Sequence, residues 1–293
     1  MKPTIHVIVN PASGQAEPVL NPLNKIFRQH GLKWEAHITY EEGDAKRLTE
    51  EAVAAGAETI VAYGGDGTLM QVANGLINTG ADIPLGILPG GTGNAMSFEL
   101  YIPRYLEQAV ELICQPHRIR PIDVGKVNNH YFLLRCYTGL SSTYQASREM
   151  KDQYGLLAYA MSSVQTLTDM QYCNYKLTID GKVMEREGVL CLITNAGSIG
   201  GFDLQLTPTI QPDDGLLDVF IIEATSDSLM SIAGSILGSG EPLPALRGRE
   251  VIVEVDPPQN ISLDGEPMGK TPLRAVLVPK LLKVIVPLSG QIM

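Results

Sequence analysis

Along its first part the chain switches repeatedly between two hydrophobic periods. Short apolar runs of strand character (Thr4 to Asn10, Lys33 to Thr39, Thr59 to Val61, Pro84 to Leu88) are interleaved with segments whose apolar residues recur every three or four positions. These are Leu20, Leu23, Ile26 and Phe27 after Pro18, the Ala-rich stretch Asp44 to Ala55 stopped by Gly56, and Leu69, Val72, Ala73 and Leu76. Strands alternating with helices predict βαβ units and therefore a parallel sheet with right-handed crossovers. Three of the strands run into turn clusters: Asn10-Pro11-Ala12-Ser13-Gly14, Gly64-Gly65-Asp66-Gly67-Thr68 and Pro89-Gly90-Gly91-Thr92-Gly93-Asn94. Open parallel sheets bind ligands beyond the carboxyl ends of their strands, so if these strands are neighbours the three turns line one crevice.

After Arg120-Pro121-Ile122 the pattern becomes one of closely spaced short strands. Hairpins are expected at Asn128-Asn129 and at Asp180-Gly181, the second joining Tyr175–Ile179 to Val189–Thr194. Further strands are expected at Leu216–Glu223, Glu250–Val255, Gln259–Leu263, Arg274–Val278 and Lys283–Val286. Tyr154–Met170 reads as an amphipathic helix. Leu229–Leu237 is an apolar-rich helical segment for which core packing and an acyl-chain groove are both open readings. The expected fold class is α/β: an N-terminal parallel-sheet α/β domain over residues 1–121 and a C-terminal antiparallel β-sandwich domain over residues 122–293.

Composition narrows the function classes. A length of 293 residues fits about two domains, and 44% hydrophobic with 18% charged residues fits a globular chain. No apolar run approaches the roughly 18 residues that span a bilayer, and the N-terminus enters a strand at once, so no transmembrane segment and a cytoplasmic location are expected. A net charge of -10 argues against a nucleic-acid partner, whose phosphates call for Lys and Arg. Cys114, Cys136, Cys173 and Cys191 are widely spaced in apolar surroundings, which predicts buried thiols rather than disulfides or zinc ligands. The five histidines form no H-x-x-x-H, so a transition-metal enzyme is not expected.

Candidate chemistry lies in the turns. In Gly64-Gly65-Asp66-Gly67-Thr68, closely spaced glycines let backbone N–H groups converge on phosphate oxygens at the start of a helix; a sharp strand-to-helix turn without a ligand would have the same sequence. A dinucleotide G-x-G-x-x-G is excluded by Met70, and a Walker A loop ending at Gly269-Lys270-Thr271 is excluded by Asp264. Asp213, Asp214 and Asp218 offer carboxylates to a hard cation, or a solvated Asp-Gly turn. Glu266, beside the Asp264-Gly265 turn, is either a surface residue or a general base held by that turn.

Taken in order, Asn10-Pro11 with Ser13-Gly14, Gly64-Gly65-Asp66-Gly67-Thr68, Leu88-Pro89-Gly90-Gly91-Thr92-Gly93-Asn94, Asp214-Gly215-Leu216 and Leu263-Asp264-Gly265-Glu266 resemble the diacylglycerol kinase catalytic-domain family. The chain looks most like the soluble bacterial lipid kinases, relatives of the sphingosine kinases. The resemblance implies ATP-dependent transfer of a γ-phosphoryl group to a lipid hydroxyl, on a first domain similar to those of phosphofructokinase and NAD kinase. By motif it implies that Gly64, Gly65, Asp66, Gly67 and Thr68 cradle the ATP phosphates and that Asn10, Thr39 and Thr92 contact the nucleotide. Glu266 would take the proton from the attacking hydroxyl. Asp214, with the carbonyls of Gln211 and Leu216, would hold a Mg²⁺, and Asp66 would partner the ATP-bound Mg²⁺. The implied substrate is a lipid met at a membrane surface, which would make the cytoplasmic protein peripheral there; the particular lipid and the oligomeric state stay open.

NAD kinases share the GGDGT turn, whereas Pro-Gly-Gly-Thr-Gly-Asn and Leu-Asp-Gly-Glu match lipid kinases better. Three positions depart from the family pattern: Met70 and Gln71 stand where it has Asn and Glu, and Ala95 stands where it has Asp. Each removes a polar group near the expected crevice, so a catalytically silent nucleotide- or lipid-binding protein is a third reading.

Overall fold

The structure is a computed structural model; it describes residues 4–13, 18–139, 172–199, 204–223 and 243–288, with isolated positions between 224 and 242. The helix expected at Tyr154–Met170 and the apolar positions of Leu229–Leu237 lie outside the described residues. In chain order the elements are β1 (Thr4–Val9), α1 (Leu20–Gln29), β2 (Lys33–Ile38), α2 (Asp44–Ala54), β3 (Thr59–Gly64), α3 (Asp66–Thr79), β4 (Leu85–Pro89), α4 (Ala95–Glu99) and α5 (Leu106–Cys114). There follow β5 (Arg118–Val127), β6 (His130–Phe132), β7 (Arg135–Thr138), β8 (Cys173–Ile179), β9 (Lys182–Gly188), β10 (Leu190–Thr194), β11 (Ser198–Ile199), β12 (Leu204–Gln205) and β13 (Leu217–Ile222). The chain closes with β14 (Leu246–Gly248), β15 (Glu250–Asp256), β16 (Asn260–Leu263), β17 (Glu266–Lys270) and β18 (Leu273–Val286). It divides into two compact units, one of Met1–Ile122 with Lys280–Met293 and the other of Asp123–Pro279. A reading as 1–121 and 122–293 leaves the last stretch in the second domain, whereas from Lys280 it joins the first.

The first unit is built on parallel strands in the order β2-β1-β3-β4, and the end of β18 runs parallel beside β4 through Val284 and Leu85. From β1 the chain steps to β2 on one side and then crosses to β3 on the other. The order therefore reverses between β1 and β3, the place where such sheets open a crevice at their carboxyl ends. All five residues of β4 are buried, which explains its unbroken apolar run. Helix α1 turns Leu23, Ile26 and Phe27 inward and α3 turns Leu69, Val72, Ala73 and Leu76 inward, as the spacing predicts, whereas Leu20, expected on the same face, is exposed at the start of α1. Fully burying each larger side chain contributes about 1.5–3 kcal/mol.

The second unit is a pair of antiparallel sheets, β9-β8-β15-β18 and β14-β13-β10-β7-β16-β17. A common core joins them, with Tyr175, Leu177, Val251, Val253 and Ala275 from the first sheet and Cys136, Ile193, Val219, Ile261 and Leu263 from the second. Strand β10 also feeds Leu190 and Leu192 into a separate cluster with Phe220, Ile222 and Ile210, so it is buried on both faces. The α/β and antiparallel sandwich classes are both as expected, and all four cysteines are thiols, three of them buried.

Three details differ from expectation. The Asp180-Gly181 hairpin joins β8 to β9, not to Val189–Thr194, which forms β10 in the other sheet. Strand β9 (KVMEREG) is a charged outer strand whose polarity hides it from an apolar-pattern reading. Strand β17 was likewise hidden, because only one of its five residues is even half-buried. The expected pair Arg274–Val278 and Lys283–Val286 is the single strand β18, interrupted by the left-handed Lys280 (φ 51°).

Candidate active site

Three turns at the carboxyl ends of β1, β3 and β4 meet in the first unit. The side-chain amide of Asn10 donates to Thr68 Oγ1 at 2.8 Å, while its Oδ1 accepts the Ala12 N–H at 3.0 Å and its carbonyl accepts the Ser13 hydroxyl at 2.7 Å. Asn10 thus ties the turn after β1 to the first turn of α3. Its own N–H donates to the Tyr63 carbonyl, and the Gly90 N–H donates to the Gly64 carbonyl, so the ladder extends past all three strand ends. Thr39, buried at the end of β2, donates its N–H to the Val9 carbonyl and completes the edge. Thr92 is exposed on the third turn.

The glycines are needed for contact. A Cβ on Gly91 would fall 2.5 Å from Gly65 Cα, and one on Gly64 would fall 2.5 Å from Thr68 Cβ. The two glycine turns therefore interlock backbone to backbone, which no side chain permits. Above this contact the Asp66 carboxylate accepts the N–H groups of Ala95 and Met96 at 3.0 and 3.2 Å, capping α4. Asn94, at φ 47°, accepts the Gly91 N–H and donates to the Gly91 carbonyl, closing the third turn on itself. At the α3 start, beside Gly65 and Gly67, N–H groups and the helix dipole favour an anion.

In the second unit the acidic turn is organised by residues that the motif did not include. Buried Asp123 accepts the Gly215 N–H at 2.7 Å and donates its own N–H to the Pro212 carbonyl at 2.7 Å, clamping the turn. Asp214 Oδ1 accepts the Leu216 N–H at 3.0 Å. Its Oδ2 pairs with Arg247, whose Nε also reaches buried Asp218 at 2.9 Å. Burial pushes the Asp218 carboxyl above its ordinary range, partly offset by Arg247. Arg247 comes from β14 and has no sequence signal linking it to the turn.

The Gln211 and Leu216 carbonyls and the Asp214 carboxylate are oxygen donors on one turn, the set a hard cation takes. These donor types are ones Mg²⁺ accepts, and in this structure both Asp214 oxygens are already engaged, Oδ1 by the Leu216 N–H and Oδ2 by Arg247.

Glu266 belongs to a different hairpin, the two-residue turn of Asp264 (φ 45°) and Gly265 (φ 94°) between β16 and β17. Glu266 is exposed, whereas the Asp264 carboxylate accepts N–H groups from Leu133, Leu134 and Arg135 at 2.7, 3.0 and 2.7 Å. Burial pushes the Asp264 carboxyl up to about 6 while the amides of Arg135, Leu133 and Leu134 pull it down. The hairpin carrying Glu266 is therefore pinned by its neighbour, a role that Asp-Gly read only as a turn signal does not reveal.

Two family models match the chain, one over each part of it, the second including residues 280–286 of the first unit. Residues 4–127 match the model of the diacylglycerol kinase catalytic domain, and residues 135–286 match that of the YegS C-terminal NAD kinase beta sandwich-like domain. A Pseudomonas aeruginosa protein named "Probable lipid kinase YegS-like" is 34% identical over 91% of this chain and 89% of its own length. A diacylglycerol kinase of Bacillus subtilis is 30% identical over 96% of this chain and 95% of its own. The crystal structure of a diacylglycerol kinase from Bacillus anthracis superposes with a TM-score of 0.82 at 28% identity, covering 97% of both chains. With both of its units matched and its order of motifs intact, the chain belongs to the diacylglycerol kinase family that includes the YegS-like lipid kinases.

Proposed function

We propose that this protein transfers the γ-phosphoryl group of ATP, with Mg²⁺, to the hydroxyl of a diacylglycerol-like lipid met at a membrane surface. The observation that carries this reading is the interlock of the Gly64–Thr68 and Pro89–Asn94 turns, which presents backbone N–H groups at the start of α3. Phosphoryl transfer depends on positioning and charge neutralisation rather than covalent chemistry, and amide donors with a cation provide both. Gly64, Gly65, Gly67 and Thr68 hold the phosphates, and Asn10, Thr39 and Thr92 line the nucleotide. Mg²⁺ would supply charge neutralisation when bound: Asp66 would partner the ATP-bound ion, and in the second unit the Gln211-Asp214-Leu216 turn would hold a Mg²⁺ of its own. Glu266 accepts the proton of the lipid hydroxyl.

The departure at residue 95 does not remove this chemistry. Residue 95 serves through its backbone N–H, which Ala provides as well as Asp. Its side chain is buried rather than presented to a ligand.

The deciding experiment incubates the purified protein with radiolabelled ATP, Mg²⁺ and, separately, diacylglycerol in mixed micelles or NAD. Labelled phosphatidate is the expected product. Label in NADP alone would replace the lipid acceptor with a dinucleotide, and absence of product from either would leave a binding protein without turnover.

A further inference from the structure

The sheet edge of the first unit carries a group of side chains that the nucleotide turns do not use. His6 lies in β1, and Glu35 and His37 lie in β2. The parallel register sets His6 directly beside Glu35, and His37, two residues on, shares the same face of the sheet. His6 Nδ1 stands 2.9 Å from His37 Nε2 and 4.0 Å from Glu35 Oε2, and all three ligand atoms fall within 4.8 Å of one another. We propose that His6, Glu35 and His37 form a binding site for a divalent transition cation of the Zn²⁺ type, with a fourth position left to water.

Two imidazoles and a carboxylate are a zinc donor set, bound at about 2.0–2.2 Å each, and donors at that radius stand about 3.3 Å apart in a tetrahedron. The separations of 2.9 and 4.0 Å bracket that distance and the third lies within 4.8 Å, so the set closes on a cation by rotation of the His37 ring and of Glu35. His6 is buried in the strand and forms a rigid wall, whereas Glu35 is 62% exposed on the outer strand and closes by a rotamer change. The contact of His6 Nδ1 with His37 Nε2 requires one of the two nitrogens to carry a hydrogen. When the cation binds, that hydrogen moves to the far nitrogen of its own ring, so both imidazoles bind neutral. His30 offers a contrast: it meets Glu111 at 2.8 Å but belongs to no three-ligand group among the described residues.

This site is separate from any Mg²⁺ used in phosphoryl transfer. Mg²⁺ takes oxygen donors in a near-octahedral shell, while imidazole favours Zn²⁺, Ni²⁺ and Cu²⁺. A cation joining β1 to β2 would stabilise the folded unit and leave the turns untouched.

The test is calorimetric titration of tag-free protein with zinc chloride in excess Mg²⁺. One equivalent is expected to bind saturably. Glu35→Gln and His37→Ala, both at positions with solvent access, are each expected to weaken it at least tenfold, and His30→Ala to leave it unchanged. Co²⁺ in place of Zn²⁺ is expected to give the visible absorption of a tetrahedral site, lost in His37→Ala. Circular dichroism confirms that each variant is folded. Absence of a saturable equivalent in the wild-type protein, or binding undiminished in both ligand variants, would overturn the proposal.

Discussion

The carboxylate of Asp66, the first residue of α3, holds the backbone N–H of Ala95, the first residue of α4, at 3.0 Å. One glycine turn thus fixes the helix that follows the other, and the acid of the GGDGT motif is a structural cap as well as a candidate cation partner. Asp66→Ala is expected to lower stability by about 1 kcal/mol through loss of the α4 cap. Asp66→Asn, which keeps an acceptor, should stay closer to wild type in thermal melts. If Asp66 also partners Mg²⁺, Asp66→Asn loses turnover despite its stability; retained turnover would reduce the residue to the cap.

Two glycines of this region should respond in opposite ways. Gly91→Ala drives a methyl into the Gly65 backbone, where neither chain can yield, and is expected to cost about 1–3 kcal/mol. At Gly67 a Cβ meets nothing within 4 Å, so Gly67→Ala should fold at least as stably as wild type. ATP binding measured on Gly67→Ala therefore reports on ligand contact alone, and a normal Kd would remove Gly67 from the phosphate cradle.

Glu266 and Asp264 are separable by the same logic. Glu266 is exposed at the start of β17, so Glu266→Gln should leave stability within about 0.5 kcal/mol and reduce turnover by about 10²–10⁴. Asp264→Ala strands three amide donors, at a cost on the order of 3 kcal/mol, and should lower activity only by loosening the hairpin. Urea unfolding beside steady-state kinetics distinguishes the two outcomes.

Acid sensitivity of the first unit should be traceable to Asp44. N–H groups of Tyr40 and Glu41 and the Arg47 guanidinium hold its carboxyl down at about 2, below its ordinary value. A depressed carboxyl contributes stability that is complete above about 4 and is lost as pH falls through about 2. Thermal melts between about pH 5 and pH 2 should fall more steeply for wild type than for Asp44→Asn. Equal slopes would assign the acid transition to other groups.

In the second unit, Asp214→Asn is expected to raise the Mg²⁺ concentration needed for half-maximal activity at least about tenfold. Folding should persist, because Arg247 retains Asp218 as its partner. An unchanged Mg²⁺ requirement would separate this turn from the metal.

Much of this architecture was legible along the chain. The α/β class, the inward faces of α1 and α3 and the turns at Asn128 and Asp180 follow from local periodicity and turn chemistry, which neighbouring residues settle among themselves. Charged strands such as β9 escaped that reading, because their pairing depends on a partner rather than on their own apolar pattern. The order of motifs from Asn10 to Glu266 also pointed to the family, since each motif is contiguous.

What lay beyond the sequence were relations between distant residues. Nothing local to Gly91 announces that Gly65 excludes its side chain, nor does Arg247 declare itself the partner of Asp214 and Asp218. His6 and His37 are 31 positions apart and show no metal-ligand spacing, yet the parallel pairing of β1 with β2 sets Nδ1 of one 2.9 Å from Nε2 of the other. Side-chain identity and local period are properties of the chain, whereas strand register and backbone approach exist only once the sheet has assembled.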